Sequence, residues 1–342
     1  MEPDPVTILV ATTRRPALLR TALASIAAQT AGRRIAQVLV SENAGDATSR
    51  AVAEEFADRL PVKYVLREPP LSGLAHALAL METLPPDGYV AILHDDDWWL
   101  PDHLAQALAR LEQNPSAVAT YSSYFIVSAE SSMLASDTNL LFWFGAGFAP
   151  LAACWPLDET GLLLSCLWGT PGHYSTLLAR VPAYRKAAGL VYREGNPYDN
   201  DRLLAMELGR LGPVIFQPLP EAFIRYHADQ DQHRYDWPQR EAHLRATTRR
   251  LAAQARASGI DLRASLAARL ESCPAVARET VLNALSQPWC VETLIQEQLA
   301  PADLTAYAAI HSPKPKNIRY HLGRLLPPMM LEPMSRWRRR RT

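Results

Sequence analysis

The most constraining feature of this chain is a regular alternation of short apolar runs and helical patterns through its first 130 residues. The apolar runs are residues 6–11, 37–40, 62–66 and 89–93, and the helical patterns are residues 16–31, 47–60, 72–83 and 101–113. Strands separated by helices of this length are typical of an α/β fold with a mostly parallel, twisted sheet and helices on both faces. Ligands of such sheets bind beyond the carboxyl ends of the strands.

The pattern changes in the second half of the chain. Residues 131–170 are irregular and rich in Leu, Trp and Phe, which favours a substrate-side segment or lid. Residues 201–211 are expected to form a helix, residues 214–217 a strand and residues 217–220 a turn. From residue 237 to about 311 the pattern is only helical, with breaks near Gly259, Pro274, Pro288 and Pro301. We therefore predict a catalytic domain at 1–235, a helical C-terminal region at 236–311 and a tail at 312–342.

The formal net charge of zero conceals two oppositely charged parts. Residues 312–342 contain nine Lys and Arg residues and one acid, so the preceding body is acidic. An acidic body argues against nucleic-acid binding. The basic tail also carries apolar residues and could make a peripheral contact with anionic lipids, although a solvated chain end is an equal alternative.

Other features indicate a cytoplasmic protein, with the inner face of the membrane as an additional location. The N-terminus lacks the pattern of a signal peptide, and no run of about 18 apolar residues is present to span a bilayer. The four cysteines form no CxxC pair, which indicates buried thiols in a reducing compartment rather than a zinc site or a disulfide framework.

Three adjacent carboxylates, Asp95, Asp96 and Asp97, directly follow the apolar run at residues 89–93. Like charges so close together cost stability unless a cation or a helix terminus offsets them. Mn²⁺ or Mg²⁺ prefers such oxygen ligands and commonly shares them with phosphates. The spacing therefore favours a metal–diphosphate site, and a solvated acidic turn that caps the next helix is the alternative. A glycine-rich phosphate loop is missing from the sequence.

Four sequence segments, in the order in which they occur, resemble those of a family 2, inverting, nucleotide-sugar-dependent glycosyltransferase with a GT-A fold. The resemblance covers about residues 5–230, and it depends on the turn 11–16, the turn 41–43, the small-residue segment 71–77 and the acids 95–97. Two departures concern the nucleotide: Glu42 replaces the family's usual Asp, and His76 replaces its usual Arg.

The resemblance implies roles for individual residues. Donor and nucleotide binding is expected from Thr12, Thr13, Arg14, Glu42, Asn43, Ser72, Gly73, Asp95 and Asp96. Asp95, Asp97 and His227 are the expected metal ligands, and a structural histidine is the alternative for His227. Trp168 and His173 are expected on the acceptor side.

The family's catalytic base is an acid at a helix start, about eleven residues before a glycine turn and a short strand. By that spacing Asp201 is the match, and Asp199 is the second candidate. A carboxylate suits the task because the acceptor hydroxyl needs a proton acceptor as it attacks the anomeric carbon. Either acid could instead cap the helix.

The predicted function is metal-dependent transfer of a sugar from a nucleoside diphosphate donor, with inversion, in polysaccharide or glycoconjugate biosynthesis. UDP is the first expectation for the nucleotide, and GDP and dTDP are alternatives. The acceptor is a glycan, a lipid-linked molecule or a small molecule. Two other functions remain open at this point: a nucleotidyltransferase and a non-catalytic nucleotide-sugar-binding module.

Overall fold

The computed structural model of this protein describes residues 4–43, 47–137, 140–149, 154–194, 196, 198–227 and 236–311. Its first part alternates strands and helices as predicted. The elements are β1 (Val6–Thr12), α1 (Pro16–Ala27), β2 (Ile35–Glu42), α2 (Arg50–Glu55), β3 (Val62–Leu66), α3 (Gly73–Glu82), β4 (Tyr89–Ile92), β5 (Trp98–Trp99) and α4 (His103–Gln113). Helices α1 and α2 are shorter than predicted, and a 3-10 turn at Gly32–Arg34 leads into β2.

The second part contains the remaining strands and a series of helices. They are β6 (Ala119–Ser128), β7 (Met133–Asp137), α5 (Leu140–Gly145), β8 (Trp155–Leu157), α6 (Glu159–Ser165), β9 (Leu178–Arg180), α7 (Val181–Glu194), α8 (Asn200–Gly209), β10 (Val214–Tyr226), α9 (Trp237–Ala257), α10 (Leu262–Glu271), α11 (Ala275–Leu285), α12 (Pro288–Gln296) and α13 (Ala302–His311). A further 3-10 turn, Tyr174–Thr176, precedes β9.

The described strands form one mixed sheet with the order β3-β2-β1-β4-β9-β6-β10-β5, and β7 and β8 pair with β6 and β10. Strands β1 to β4 are parallel, whereas β9 lies antiparallel between β4 and β6. Because β9 runs against β4, the residues that precede β9 lie beyond the carboxyl end of β4. This crossing brings the 3-10 turn beside the acids that follow β4.

Two apolar clusters cover the two faces of the sheet. In β1, Ile8 and Val10 belong to one cluster and Leu9 belongs to the other. Successive side chains of a strand point to opposite faces, so a strand covered on both sides needs apolar residues at every position. Burial on both faces is therefore the physical reason for the continuous apolar run that predicted β1.

The predicted turn at residues 217–220 was wrong, because β10 continues through this segment. Its register against β6 shifts between Gln217 and Pro220 and again between Pro220 and Ala222. Proline lacks the N–H donor that a strand ladder needs, and strands tolerate it at such bulges. The longer strand carries Arg225 and His227 to the level of the acids after β4.

The C-terminal helices pack on the sheet domain through a shared apolar core. Leu204 of α8, Leu251 of α9 and Trp289 of α12 belong to the same cluster of buried residues. The predicted breaks between these helices are confirmed by their bounds. The division of the chain at residues 235 and 311 stays a prediction, and the basic tail 312–342 lies outside the described residues. Among the helices described, none combines the length and the apolar character needed to cross a membrane.

The contact between α5 and α6 depends on Gly145, where an added Cβ would overlap Ser165 Oγ and the Gly161 carbonyl. We expect Gly145→Ala to destabilise the protein by about 1–3 kcal/mol, because overpacking forces two rigid helices apart. Gly32→Ala is the matched control, since nothing lies within 4 Å of its added Cβ. Urea unfolding measures both variants, and equal stabilities would contradict the close contact.

Candidate functional site

The acids after β4 meet the turn after β1 at the carboxyl edge of the sheet. Thr12 Oγ1 donates a hydrogen bond to Asp95 Oδ2 at 2.7 Å. Arg15 Nη1 lies 3.4 Å from both Asp95 Oδ1 and Asp96 Oδ2. Parallel pairing of β1 with β4 produces this meeting, because the ends of neighbouring parallel strands lie side by side.

His227 comes to the same place from the end of β10. Its Nε2 lies 2.9 Å from Asp96 Oδ2, and both side chains are nearly buried. Of the three expected metal ligands, His227 therefore meets the middle acid of the cluster rather than Asp95 or Asp97. A carboxylate oxygen and an imidazole nitrogen at this separation offer ligands that Mn²⁺ accepts.

Asp97 points into the protein, where its two oxygens are held by other groups. Its Oδ2 accepts a hydrogen bond from Ser175 Oγ at 2.6 Å, and its Oδ1 accepts one from the Arg225 backbone N–H at 2.9 Å. His173 Nδ1 and His94 Nδ1 lie 3.6 Å and 3.9 Å from Asp97 Oδ2, so these three residues form a second group that could hold a metal ion. His173 Nδ1 also accepts the Ser175 N–H, which occupies its lone pair.

The three carboxyl groups differ in proton affinity. Burial, and then repulsion from Asp96, raises the pKa of Asp95 to about 6. The same two causes raise the pKa of Asp97 well above its ordinary value. Burial would also raise the pKa of Asp96, but attraction to His94 and the hydrogen bond from His227 outweigh it and lower that pKa. Asp96 is therefore the most acidic of the three carboxyl groups.

The two base candidates lie at the start of α8 in different surroundings. Asp199 is buried, and its Oδ2 lies 3.4 Å from Arg202 Nη1. Asp201 is partly exposed, and its Oδ1 accepts the Arg202 backbone N–H at 3.0 Å. Burial, and then repulsion from Asp199, raises the pKa of Asp201 to about 7, although a hydrogen bond with Thr170 opposes the shift. A partly exposed carboxyl group with such a pKa has the properties of a general base at neutral pH.

Tyr174 lies near both His94 and the base candidate Asp201. Its ring centroid lies 5.9 Å from that of His94 on one side. Burial, Tyr192 and Tyr184 raise the pKa of Tyr174, with a further contribution from Asp201 on the other side. One partly buried side chain is thus close to the histidine that precedes the acid cluster and to Asp201.

Comparison with known proteins decides the family of the first half of the chain. Residues 7–155 match the family model described as "Glycosyl transferase family 2". These residues form a family 2 glycosyltransferase domain. No sequence among the curated proteins matches the chain.

Solved structures share the fold of the family 2 domain and of the helices that follow it. S. aureus TarS 1-349 in complex with UDP-GlcNAc superposes with a TM-score of 0.53 at 14% identity, over 89% of this chain and 83% of that one. A longer TarS structure gives 0.51 at 14% identity over 89% of this chain, which spans 50% of that TarS chain. The mannosyltransferase PcManGT from Pyrobaculum calidifontis, in complex with GDP-Man and Mn2+, gives 0.50 at 16% identity, over 96% of this chain and 83% of that one. At these identities the likeness shows the fold, and the predicted GT-A fold is confirmed.

In the family 2 domain, Glu42 is fully buried at the end of β2 and its carboxylate is surrounded by donors. It accepts hydrogen bonds from Thr48 Oγ1, from the N–H and Oγ of Ser49, from the Arg14 N–H and from the Tyr64 hydroxyl. Burial would raise its pKa, but the bonds from Tyr64, Ser49 and Thr48 outweigh burial and lower that pKa. These contacts hold the turn in which the nucleoside-binding residues were predicted.

The neighbouring predicted donor residues lie around that turn. Asn43 pairs through Oδ1 and Nδ2 with the N–H and carbonyl of Leu71, at 2.7 and 2.9 Å. Ser72 caps α3, which begins at Gly73. His76 Nε2 lies 2.8 Å from Ser41 Oγ, and burial lowers its pKa to about 4, so it is neutral at pH 7. Thr13 and Arg14 are exposed on the other side of the turn.

Glu42 supports a prediction about stability. We expect Glu42→Gln to destabilise the protein by about 1–3 kcal/mol at pH 7, because the amide leaves buried donors unpaired. Because folding lowers the pKa of Glu42, its stabilising effect is present above the unfolded-state pKa near 4.5 and decreases as the pH falls below it. Chemical denaturation at pH 7 and pH 4 should show a smaller difference at pH 4. Glu54→Gln, on the exposed face of α2, is the control, and equal effects would contradict this role.

The two residues predicted on the acceptor side differ in burial. Trp168 is 8% exposed and packs edge-on against Phe144, with ring centroids 5.1 Å apart. His173 lies beside His94 and Asp97, on the side of the acid cluster. Burial, and then repulsion from His94, lowers the pKa of His173 to about 3, so its ring is neutral.

Two residues of this site were missed from the sequence. Arg15 contacts two of the acids, whereas the resemblance favoured its neighbour Arg14; its place directly before the α1 proline was the available signal. Ser175 links the His94 N–H to Asp97 Oδ2. No local pattern indicates Ser175, since it is far from the acids in sequence and reaches them only through β9.

Proposed function

We propose that this protein transfers a sugar from a nucleoside diphosphate donor to an acceptor hydroxyl, with inversion at the anomeric carbon and with a divalent cation. The observation that carries the proposal is that four residues of the family 2 domain meet His227 at the carboxyl edge of the sheet, namely Thr12, Arg15, Asp95 and Asp96. The donors named for the similar structures, UDP-GlcNAc and GDP-Man, support a nucleotide sugar, and we place UDP first.

The donor set at this edge fits Mn²⁺ or Mg²⁺. Asp96 Oδ2 and His227 Nε2 face one another at 2.9 Å, and Asp95 lies beside Asp96 with Arg15 between their oxygens. Asp96 and His227 would hold the cation, with Asp95 completing the oxygen set. Asp97 would support this group indirectly, because its carboxylate accepts hydrogen bonds from the Ser175 hydroxyl and the Arg225 backbone N–H. A bound cation would neutralise the charge that develops on the departing diphosphate.

Donor binding and removal of the acceptor proton are assigned to residues of this chain. Arg15 is placed to attract the donor diphosphate, and the turn held by Glu42 and Asn43 forms the wall of the nucleoside pocket. Asp201 accepts the proton of the acceptor hydroxyl as that oxygen attacks the anomeric carbon. Its pKa of about 7 lets it remove this proton near neutral pH. A single displacement of this kind inverts the anomeric configuration.

The acceptor is proposed to be a glycan, a lipid-linked molecule or a small molecule of polysaccharide or glycoconjugate biosynthesis. Thermal shift and donor hydrolysis across UDP-, GDP- and dTDP-sugars, each with Mn²⁺, Mg²⁺ or chelator, test the donor and the cation. We expect one nucleotide to stabilise the protein only when the cation is present. Stabilisation by a nucleoside triphosphate alone, with release of pyrophosphate, would support a nucleotidyltransferase instead. Binding of a nucleotide sugar without any turnover would support a non-catalytic module.

A further inference from the structure

A buried ion pair flanks the proposed base. Asp199 and Arg202 are 3% and 0% exposed, and Arg202 Nη1 lies 3.4 Å from Asp199 Oδ2. The two residues are three positions apart at the start of α8, so they share one face of the helix, and Asp201 lies between them in sequence. Each charge of a buried ion pair needs the other, because an unpaired buried charge is costly.

The C-terminal helices fix this ion pair. Arg202 Nη2 donates a hydrogen bond of 2.6 Å to Thr248 Oγ1 of α9. The same guanidinium lies 5.7 Å from the ring centroid of Trp289 of α12, within the range of a cation–π contact. Trp289 is itself buried at 2% exposure. Helices outside the family 2 domain therefore hold the arginine that pairs with Asp199.

Asp199 supplies the negative charge that acts on Asp201. The other titratable groups that face Asp201 come from β6, the end of α6, the 3-10 turn, α7 and the segment before α8, and they are Tyr121, Cys166, Tyr174, Tyr192 and Tyr198. Burial raises the pKa of each of these groups, so they are neutral at pH 7. The side chains of Arg202 and His243 act on Asp199, whereas the Arg202 backbone N–H bonds Asp201.

We propose that the Asp199–Arg202 pair is a positioning device for Asp201, built on α8 and held in place by α9 and α12. The inference rests on the proposed function, in which Asp201 is the base. Burial raises the pKa of Asp199, and the attraction of Arg202 opposes that rise. In this proposal the negative charge that Arg202 favours on Asp199 raises the pKa of Asp201 further and so holds a proton on Asp201 to higher pH. The C-terminal helices thus influence proton transfer without contacting a substrate.

The pH dependence of kcat tests this pair. Asp199→Asn removes the negative neighbour and leaves Arg202 unpaired, and both changes favour the ionised form of Asp201. The acidic limb of the kcat profile should therefore move to lower pH by about one unit, the scale of a close charge. Asp199→Asn with Arg202→Met should move it less, because no unpaired cation remains. Arg202→Lys, which keeps the charge, should leave the limb in place. Loss of stability in these variants with an unmoved limb would overturn the proposal.

The anchor to α9 is tested separately. Thr248→Val keeps the side-chain shape and removes the hydrogen bond to Arg202, so we expect a several-fold lower kcat with an unchanged donor KM. Thr305→Val is the matched control, because the Thr305 hydroxyl donates to the Pro301 carbonyl just before α13. Equal kcat values in the two variants would contradict a role for the C-terminal helices.

A stability cycle separates this inference from the proposed function, because it requires no turnover. Asp199→Asn, Asp201→Asn and the double variant are compared by thermal unfolding at pH 8 and pH 5. At pH 8, above the Asp201 pKa of about 7, repulsion between the two acids should make the effects non-additive, whereas at pH 5 the protonated Asp201 should make them additive. Asp58→Asn, an exposed residue of the segment after α2, should be additive with Asp201→Asn at both pH values. Additivity of the Asp199 and Asp201 effects at pH 8 would overturn the inference even in an active glycosyltransferase.

Discussion

Replacing Asp201 by Asn is expected to lower kcat by about 10²- to 10⁴-fold, the usual scale for the loss of a general base. Donor affinity should stay unchanged, because the acids that meet at the sheet edge are intact. In the unmodified protein kcat should rise with pH as the Asp201 carboxyl group loses its proton near pH 7, and then level off. Steady-state kinetics with the best donor, from pH 5 to pH 9, measures both effects.

Asp201→Asn, which lowers kcat, is expected to stabilise the protein at high pH. Folding raises the pKa of Asp201 above its ordinary value of 3.8, so the folded protein binds this proton more tightly than the unfolded chain. Stability linked to this group is fully present below about pH 4 and decreases as the pH rises towards 7. Asp201→Asn should therefore raise Tm at pH 8 and leave it nearly unchanged at pH 4.

The exposed Asp87→Asn is the control for both measurements of Asp201. If Asp199→Asn abolishes turnover while Asp201→Asn retains it, the base is Asp199. In that case the buried position of Asp199 would have to open before an acceptor hydroxyl could reach it.

Asp96→Asn is expected to weaken cation-dependent donor binding by about 10²-fold or more, since even groups that only orient metal ligands cost 10- to 100-fold when changed. His227→Ala should weaken it in the same direction, because these two side chains meet at 2.9 Å. Calorimetric titration with UDP, in the presence and absence of Mn²⁺, measures the loss.

Stability gives a second test of these acids. Asp96→Asn should lower Tm at pH 7 without added metal, because folding lowers the pKa of Asp96 and its charge therefore stabilises the folded protein. Asp97→Asn should lower Tm, because an amide cannot accept both the Ser175 hydroxyl and the Arg225 N–H that Asp97 binds. His311→Gln, on the exposed end of α13, is the control for His227→Ala. Unchanged donor affinity in Asp96→Asn with Mn²⁺ present would contradict the proposed cation site.

The alternation of apolar runs and helical patterns was enough to predict the first half of the sheet, and the resemblance to family 2 predicted the GT-A fold. The runs that predicted β1, β2 and β4 are buried on both faces, so their apolar character is a direct consequence of their place in the sheet. The run that predicted β3 is only partly buried, because β3 lies at the edge of the sheet. The placement of Thr12 beside Asp95 follows from the same rule, since neighbouring parallel strands end at one edge. The spacing before Gly212 likewise indicated a helix start with two acids, which the structure has at α8.

The local sequence pattern gave a wrong prediction at the bulge in β10. Pro218 and Pro220 resemble a turn, but pairing with β6 keeps them in a bulged strand. That choice is tertiary, because the hydrogen bonds and apolar burial gained along β10 outweigh the donors that the prolines lack. The strand then delivers Arg225 and His227 to the acids, which no spacing rule could specify.

The sequence by itself determined which residue types could do chemistry and which strand ends and helix start carry them. The tertiary structure decided which of these residues meet. The antiparallel insertion of β9 between β4 and β6 sets Ser175 and His173 against Asp97, and α9 and α12 enclose Arg202 beside Asp199. These contacts join residues that are far apart in the chain, so they depend on strand order and helix packing rather than on local propensity. For that reason the sequence-based assignment gave the metal to Asp95 and Asp97, whereas the fold separates an inward-facing Asp97 from an Asp96 that meets His227.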